Sequence, residues 1–251
     1  MTQDNGLANI VNGAIKFCQL MASAFSAFHN WYVKNADSIE QYVLAFANLG
    51  CWYAAVNKLA SHQIVFTGDL SSDLITEINA ANNIDKIIEN HYFSNNAQHM
   101  NITIARCQAY MHSSAYSELF TQTLAAYSLS HYHLACIGMF AIIDGVFADF
   151  SDNKKTGYKI RINAIEKKIS DRLELDNLDK KTLCICKTMS CFEESIFKDN
   201  YNFENEPSEL NRHWVMHGRS QRVYTRYDFL KILLWLDAIV FLDEKINEKS
   251  Q

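Results

Sequence analysis

Proline is almost missing from this sequence: Pro207 is the only one in 251 residues, and glycine occurs just eight times. Sheet-rich folds punctuate their strands with Gly and Pro turns, so this scarcity argues against a sandwich or barrel and favours long helices. Long uninterrupted apolar runs are missing too. Residues 42–60 are broken by Asn48 and Asn57, and residues 229–242 by Lys231 and Asp237. Both fall short of the ~20 clean apolar residues a bilayer span needs, so they are expected to be buried core helices, with no membrane partner. Positive charge is in deficit, with 23 Lys and Arg against 28 Asp and Glu. A whole-molecule basic field is therefore absent, and any nucleic-acid contact must rest on a local patch. The seven cysteines (18, 51, 107, 136, 184, 186 and 191) form no even disulfide framework, and Asp4 precedes any apolar run. The expectation is a reducing, cytoplasmic setting without a secretory signal. Cys184, Cys186 and Cys191 are close in sequence, but on a helix the first two point apart and no histidine is near. Core thiols are expected there, with no metal and no cofactor.

The residues that are present suit a packed helical protein. Apolar residues make up 49% and charged residues 20%, which excludes a disordered chain and supplies a full core. Residues 7–34 and 38–60 read as amphipathic helices, with Phe17, Phe25, Phe28, Trp31, Trp52 and Tyr53 at helical spacing. Gly68, Ser71, Ser72 and Asp73 mark a turn, and Ser72 can cap a helix from Asp73. Asn82, Asn83, Asn95 and Asn96 mark further breaks. Helices follow over 116–129, 131–150, 159–173 and 178–197. The second of these carries Tyr132, Cys136, Met139, Ile143, Val146 and Phe150 on one stripe. After an acidic connector over 198–206, Pro207 or Ser208 is expected to open a helix that Gly218 ends. A basic loop over 219–225 leads to a last buried helix over 227–246. The fold class is all-α, with a helical region over 1–94 ahead of a helical domain over 95–251.

The chemistry concentrates in Leu210-Asn211-Arg212-His213-Trp214-Val215-Met216-His217-Gly218. A permanent cation and two imidazoles fall within six residues. Arg219, Arg222, Arg226 and Lys231 follow, with Asp228 the one acid between Leu210 and Lys231. This local positive island is the footprint that an RNA backbone requires. On an ideal helix, residues five apart are separated by about 140°, so Arg212 and His217 meet only if the helix loosens or the arginine swings round. Bland readings exist for each residue. Arg212 could pair with Glu209 at the surface, and His217 could interact with a helix dipole. Asp237 is either a hydrogen-bonded core acid or an orienter of His217, and Asp144 is similar. His131 and His133 suit helix packing, and Trp214 a core or dimer anchor.

Arg212-x4-His217, within the longer string Asn-Arg-His-x-Val-x-His-Gly, resembles the signature of the HEPN superfamily. Ala125-Ala126-Tyr127, His131-Tyr132-His133-Leu134-Ala135 and Ile142-Ile143-Asp144-Gly145 are similar to the first long helices of one branch, with Asp144 where glutamate is expected. The resemblance covers roughly residues 95–246. It implies a helical bundle, usually a homodimer, that brings two Arg/His motifs to one interface. Many members are metal-independent endoribonucleases of toxin–antitoxin, phage-defence or RNA-processing systems; others are silent modules that bind RNA, a nucleotide or a partner protein. The resemblance implies Arg212 and His217 as the catalytic pair, with His213 beside them, and an antitoxin or regulatory protein as a partner. Asn211, Asp144 and Asp237 would support the pair. Arg219, Arg222, Arg226 and Lys231 would hold RNA. Independently, cleavage by the 2′-OH needs a proton carrier titrating near neutrality and a cation on the phosphorane, which histidine and arginine supply.

Overall fold

The computed structural model describes residues 39–152, 157–172, 180–198 and 203–248. These contain nine α-helices and no strand, an all-α bundle as the proline and glycine scarcity implies. The helices are α1 (Ile39–Ser61), α2 (Ser72–Ala80), α3 (Ile84–Met111), α4 (Ser117–Ser128), α5 (Tyr132–Phe150), α6 (Tyr158–Arg172), α7 (Lys180–Cys191), α8 (Arg212–Met216) and α9 (Arg226–Glu248). A 3-10 turn, Phe192–Glu194, follows α7. The helix expected over 7–34, with Phe17, Phe25, Phe28 and Trp31, lies outside the described residues.

Helix starts follow local chemistry. The Ser71 hydroxyl accepts the Leu74 N–H, so Ser71 rather than Ser72 caps α2. The Asn83 carboxamide accepts the Lys86 N–H and caps α3. α3 is interrupted at Ser94–Ala97, where Asn95, Asn96 and Ala97 all have positive φ. Asparagine tolerates that left-handed region better than most residues, which explains why the break falls at the Asn pair.

α9 is the centre of the bundle. Phe229, Leu230, Ile232, Leu233, Leu234, Trp235, Leu236, Ala238, Ile239, Val240 and Leu242 are all buried, because α3 and α5 pack along it. The expected α5 stripe is buried from Cys136 through Phe150, while Tyr132 is only partly covered. Among the described helices α5 alone is long and apolar enough to cross a membrane, and half of that stretch is buried inside the bundle. Its tightest neighbour is α4. A side chain at Gly138 would meet Thr123, and one at Gly145 would meet Tyr116, so two glycines set that close approach. A single cluster of buried residues runs from Trp52 to Ile246. The Ser94–Ala97 break coincides with the sequence boundary at 94/95, but the core continues across it. Tyr53, assigned to the same stripe as Trp52, is exposed.

Candidate functional site

The segment around Arg212 is built from its cap outward. Asn211 is 4% exposed. Its Oδ1 accepts the Trp214 N–H at 3.2 Å, and its Nδ2 donates to the carbonyls of Ser195 and Lys198 at 3.2 and 3.0 Å. The Arg212 N–H donates to the Ile196 carbonyl at 2.7 Å. Leu210 is gripped by Gln63, which accepts its N–H at 2.9 Å and donates to its carbonyl at 2.8 Å. These bonds explain why the helix expected from Pro207 or Ser208 starts only at Arg212: the chain bends at Ser208 and Glu209, the Leu210 backbone is already paired, and Asn211 is extended. α8 is therefore five residues long. At its end the Gly218 and Arg219 N–H groups donate to Val215 and Trp214, each at 3.1 Å, with Gly218 at φ +63°. This is the Schellman arrangement, and glycine accommodates the left-handed residue it requires. His217 is left exposed at the turn.

Five residues apart on this helix, the two motif side chains diverge. Arg212 turns inward to α5. Its Nε donates to Asp144 Oδ1 at 3.1 Å, and its Nη2 closes a second bond to Asp144 Oδ2. Arg161 of α6 approaches the same residue, donating to the Asp144 carbonyl at 3.0 Å with its guanidinium 3.7 Å from Oδ1. Asp144 thus stands between two arginines, and a planar fork held on both arms is fixed in direction. His217 sits with its ring 4.5 Å from that of His213. No hydrogen bond or ion pair joins Arg212 to His217 among the described residues.

Phe203 organises the histidine side. Its ring stacks on His213 at 4.5 Å and 19°, and meets His217 edge-on at 5.5 Å. The Arg219 guanidinium lies 4.5 Å from its centroid. Phe203, Glu204, Glu206, Trp214, Arg219 and Gln221 line an open cleft of about 470 Å³ beside these rings. Trp214 is buried and touches Phe203 edge-on, so it is both core and wall. Nothing in the acidic 198–206 stretch signalled Phe203.

The basic island is thinner in space than in sequence. Arg222 pairs with Asp228 at 2.7 Å, and Lys231 lies 3.7 Å from Asp85. Burial pulls the Lys231 ammonium below its usual range, despite Asp85 and Asp228 nearby. Asp85 also accepts from Tyr227 and His62, each at 2.8 Å. Although burial opposes it, those bonds and Lys231 hold Asp85 below the usual carboxylate range. Arg219 and Arg226 keep exposed guanidinium groups with no carboxylate partner among the described residues; each lies against an aromatic ring, Phe203 and Phe93 respectively.

Asp237 belongs elsewhere. It is 1% exposed, and Arg106 donates to it through Nε at 2.6 Å and Nη2 at 2.7 Å. Arg106 also holds Asp69 at 3.1 and 2.7 Å. Of the two readings of Asp237, the hydrogen-bonded core acid is the one observed. His133 stacks on Tyr224 at 4.5 Å, a packing contact. Burial raises the thiols of Cys107 and Cys136, and pushes that of Cys186 up to about 12. Such thiols are poor nucleophiles. Among the described residues no three of His, Cys, Asp and Glu converge as a metal site requires.

Comparison of the chain with protein-family models, curated proteins and solved structures finds no match. The functional reading therefore rests on the residues and their geometry.

Proposed function

We propose that this chain is a HEPN-type endoribonuclease that cleaves RNA without a metal, working as a cytoplasmic homodimer in phage defence or a toxin–antitoxin pair. The observation that carries the reading is the division of labour across α8. Asp144 fixes a cation, Arg212, at one end, and an exposed imidazole stands at the other with a second imidazole beside it. In this scheme a histidine takes the proton of the 2′-OH, and the 2′-oxygen attacks the adjacent phosphorus. Arg212 stabilises the charge on the phosphorane, the P–O5′ bond breaks, and a second imidazolium returns a proton to O5′. The products carry 2′,3′-cyclic phosphate and 5′-hydroxyl ends. His217 is the first choice for proton transfer. His213, or the equivalent His217 across a dimer cleft, supplies the second group.

Incubation with mixed cellular RNA in EDTA tests this directly. Wild type is expected to cut, and Arg212→Ala and His217→Ala to lose about 10²–10⁴-fold in rate. A 2′-deoxy substitution at the scissile nucleotide should block cleavage. His217→Ala should leave stability within about 0.5 kcal/mol of wild type, since the residue is exposed. Arg212→Ala should cost about 1–2 kcal/mol, because it breaks a half-buried pair. Cutting by either variant at close to the wild-type rate, or a need for added Mg²⁺, would overturn the mechanism.

A silent module that binds RNA, a nucleotide or a partner protein is the second reading. One observation favours it: Asp144 occupies the Nε–Nη2 edge of Arg212, so a phosphate must use the Nη1 side or displace the carboxylate. Salt-sensitive RNA binding without cleavage would select it.

A further inference from the structure

We propose that the cleft beside His217 is a nucleobase subsite that selects guanine; its relevance to cleavage rests on the ribonuclease reading, but its ligand chemistry does not. Three observations converge. The first is the charge of the cleft. Glu204 and Glu206 line it with one cation, Arg219. Two carboxylates repel a phosphate group, so the cleft suits the uncharged part of a nucleotide.

The second observation is a flat platform. The Arg219 guanidinium lies over the Phe203 ring, which also stacks on His213. Arg219 is exposed and lines the cleft, and a guanidinium plane is a stacking surface for an unpaired base. The platform is tied to the imidazoles of the motif through Phe203, so a base on it would hold the attached ribose on the histidine side.

The third observation is which polar groups are spent and which are not. Glu206 accepts from the Ser220 hydroxyl and, at 2.9 Å, from the Gln221 N–H. Although burial opposes it, those bonds keep Glu206 below the usual carboxylate range, so it is an anion already committed to the loop. Glu204 is exposed and makes no hydrogen bond or ion pair among the described residues. A carboxylate only accepts, through two oxygens side by side. Guanine offers two neighbouring donors on one edge, N1–H and N2–H, which match those oxygens. Adenine and cytosine each place a ring acceptor beside their amino group, which one carboxylate oxygen would oppose. Uracil offers a single N–H between two carbonyls. The exposed Gln221 amide, on the same wall, can donate to the guanine O6 carbonyl. Glu204 is therefore the specificity-determining residue and Arg219 the stacking platform.

The test titrates the full-length protein separately with GMP, AMP, CMP and UMP, following the amide and side-chain resonances of the cleft. GMP is expected to bind at least about tenfold more tightly than the others, because a site built for hydrogen bonds rejects analogues that leave its groups unpaired. Glu204→Gln should remove that preference while leaving the weak binding of AMP unchanged. Arg219→Ala should weaken all four nucleotides together. Both residues are exposed, and melting curves superimposable on wild type would show that the fold is intact. Equal binding of the four nucleotides, no binding at millimolar concentration, or a GMP preference that survives Glu204→Gln would each overturn the subsite. Cleavage assays on guanine-free and guanine-containing oligonucleotides separate the two readings. Cutting without regard to guanine, by a protein that binds the four nucleotides equally, removes the subsite and leaves the ribonuclease. Selective GMP binding by a protein that never cuts RNA removes the ribonuclease and leaves the subsite.

Discussion

Asp237, Arg106 and Asp69 place one half-buried guanidinium between two carboxylates, of which Asp237 is fully buried. Three charged groups with a net charge of −1 are costly to desolvate, and the most buried member relieves the cost by binding a proton more readily. Burial pushes the Asp237 carboxyl up to about 6, against the pull of Arg106 and with Asp69 adding to the rise. The sign of the linkage follows. The folded state binds this proton at a higher pH than the unfolded chain, so Asp237 adds stability fully below about pH 4 and loses it as pH rises to about 6. Asp237→Asn cannot titrate. The stability of wild type relative to Asp237→Asn is therefore expected to fall by on the order of 2–3 kcal/mol between pH 4 and pH 7. Urea unfolding of both proteins across that range checks it, and a difference that stays flat would count against the linkage. Asp237 was legible in sequence as an acid on an apolar helix. Its partners were not, because Asp69 and Arg106 lie far away along the chain.

Most helices could be read from apolar periodicity and cap chemistry. The helix expected over 178–197 ends at Cys191 and gives way to a 3-10 turn, while α4, α5, α6 and α9 fall within a few residues of their expected spans. α8 did not. Pro207 and Ser208 are genuine start signals, but their helix would need backbone groups that tertiary contacts have taken. Gln63 holds both polar groups of the Leu210 backbone, and Ile196 accepts the Arg212 N–H. The separation of Arg212 from His217 is the one that helical periodicity gives residues five apart, and the helix does not loosen to close it. The α4–α5 contact makes a sharper test of element packing. Thr123 is buried, and the space at Gly138 is filled by its side chain. Gly138→Ala would ordinarily favour a helix by about 1 kcal/mol. Here overpacking is expected to dominate and lower stability by about 1–3 kcal/mol in thermal or denaturant unfolding. A stabilised variant would show that α4 can move away at no cost.

At the scale of the whole molecule, residues 39–94 are not an appendage to the rest. Trp52 joins the common core, the Phe66 N–H donates to Thr188 at 3.0 Å, and Gln63 clamps Leu210. Asp69 completes the Arg106 cluster. Removing residues 1–94 exposes apolar surface on α7 and α9, and breaks these bonds at once. A fragment of residues 95–251 is therefore expected to lose cooperative unfolding and show poorly dispersed amide resonances; a sharply melting, dispersed fragment would refute the prediction. What the sequence by itself determined was the helical class, most element positions, and the Arg212–His217 string, because periodicity, caps and turn residues act over one or two helical turns. Only the tertiary structure decided that Asp144 rather than Glu209 meets Arg212, that Phe203 gathers the histidines and Arg219, and that Asp228 and Asp85 offset half of the basic island. Those outcomes depend on groups distant in the chain competing for the same charges and backbone bonds, and local pattern carries no record of that competition.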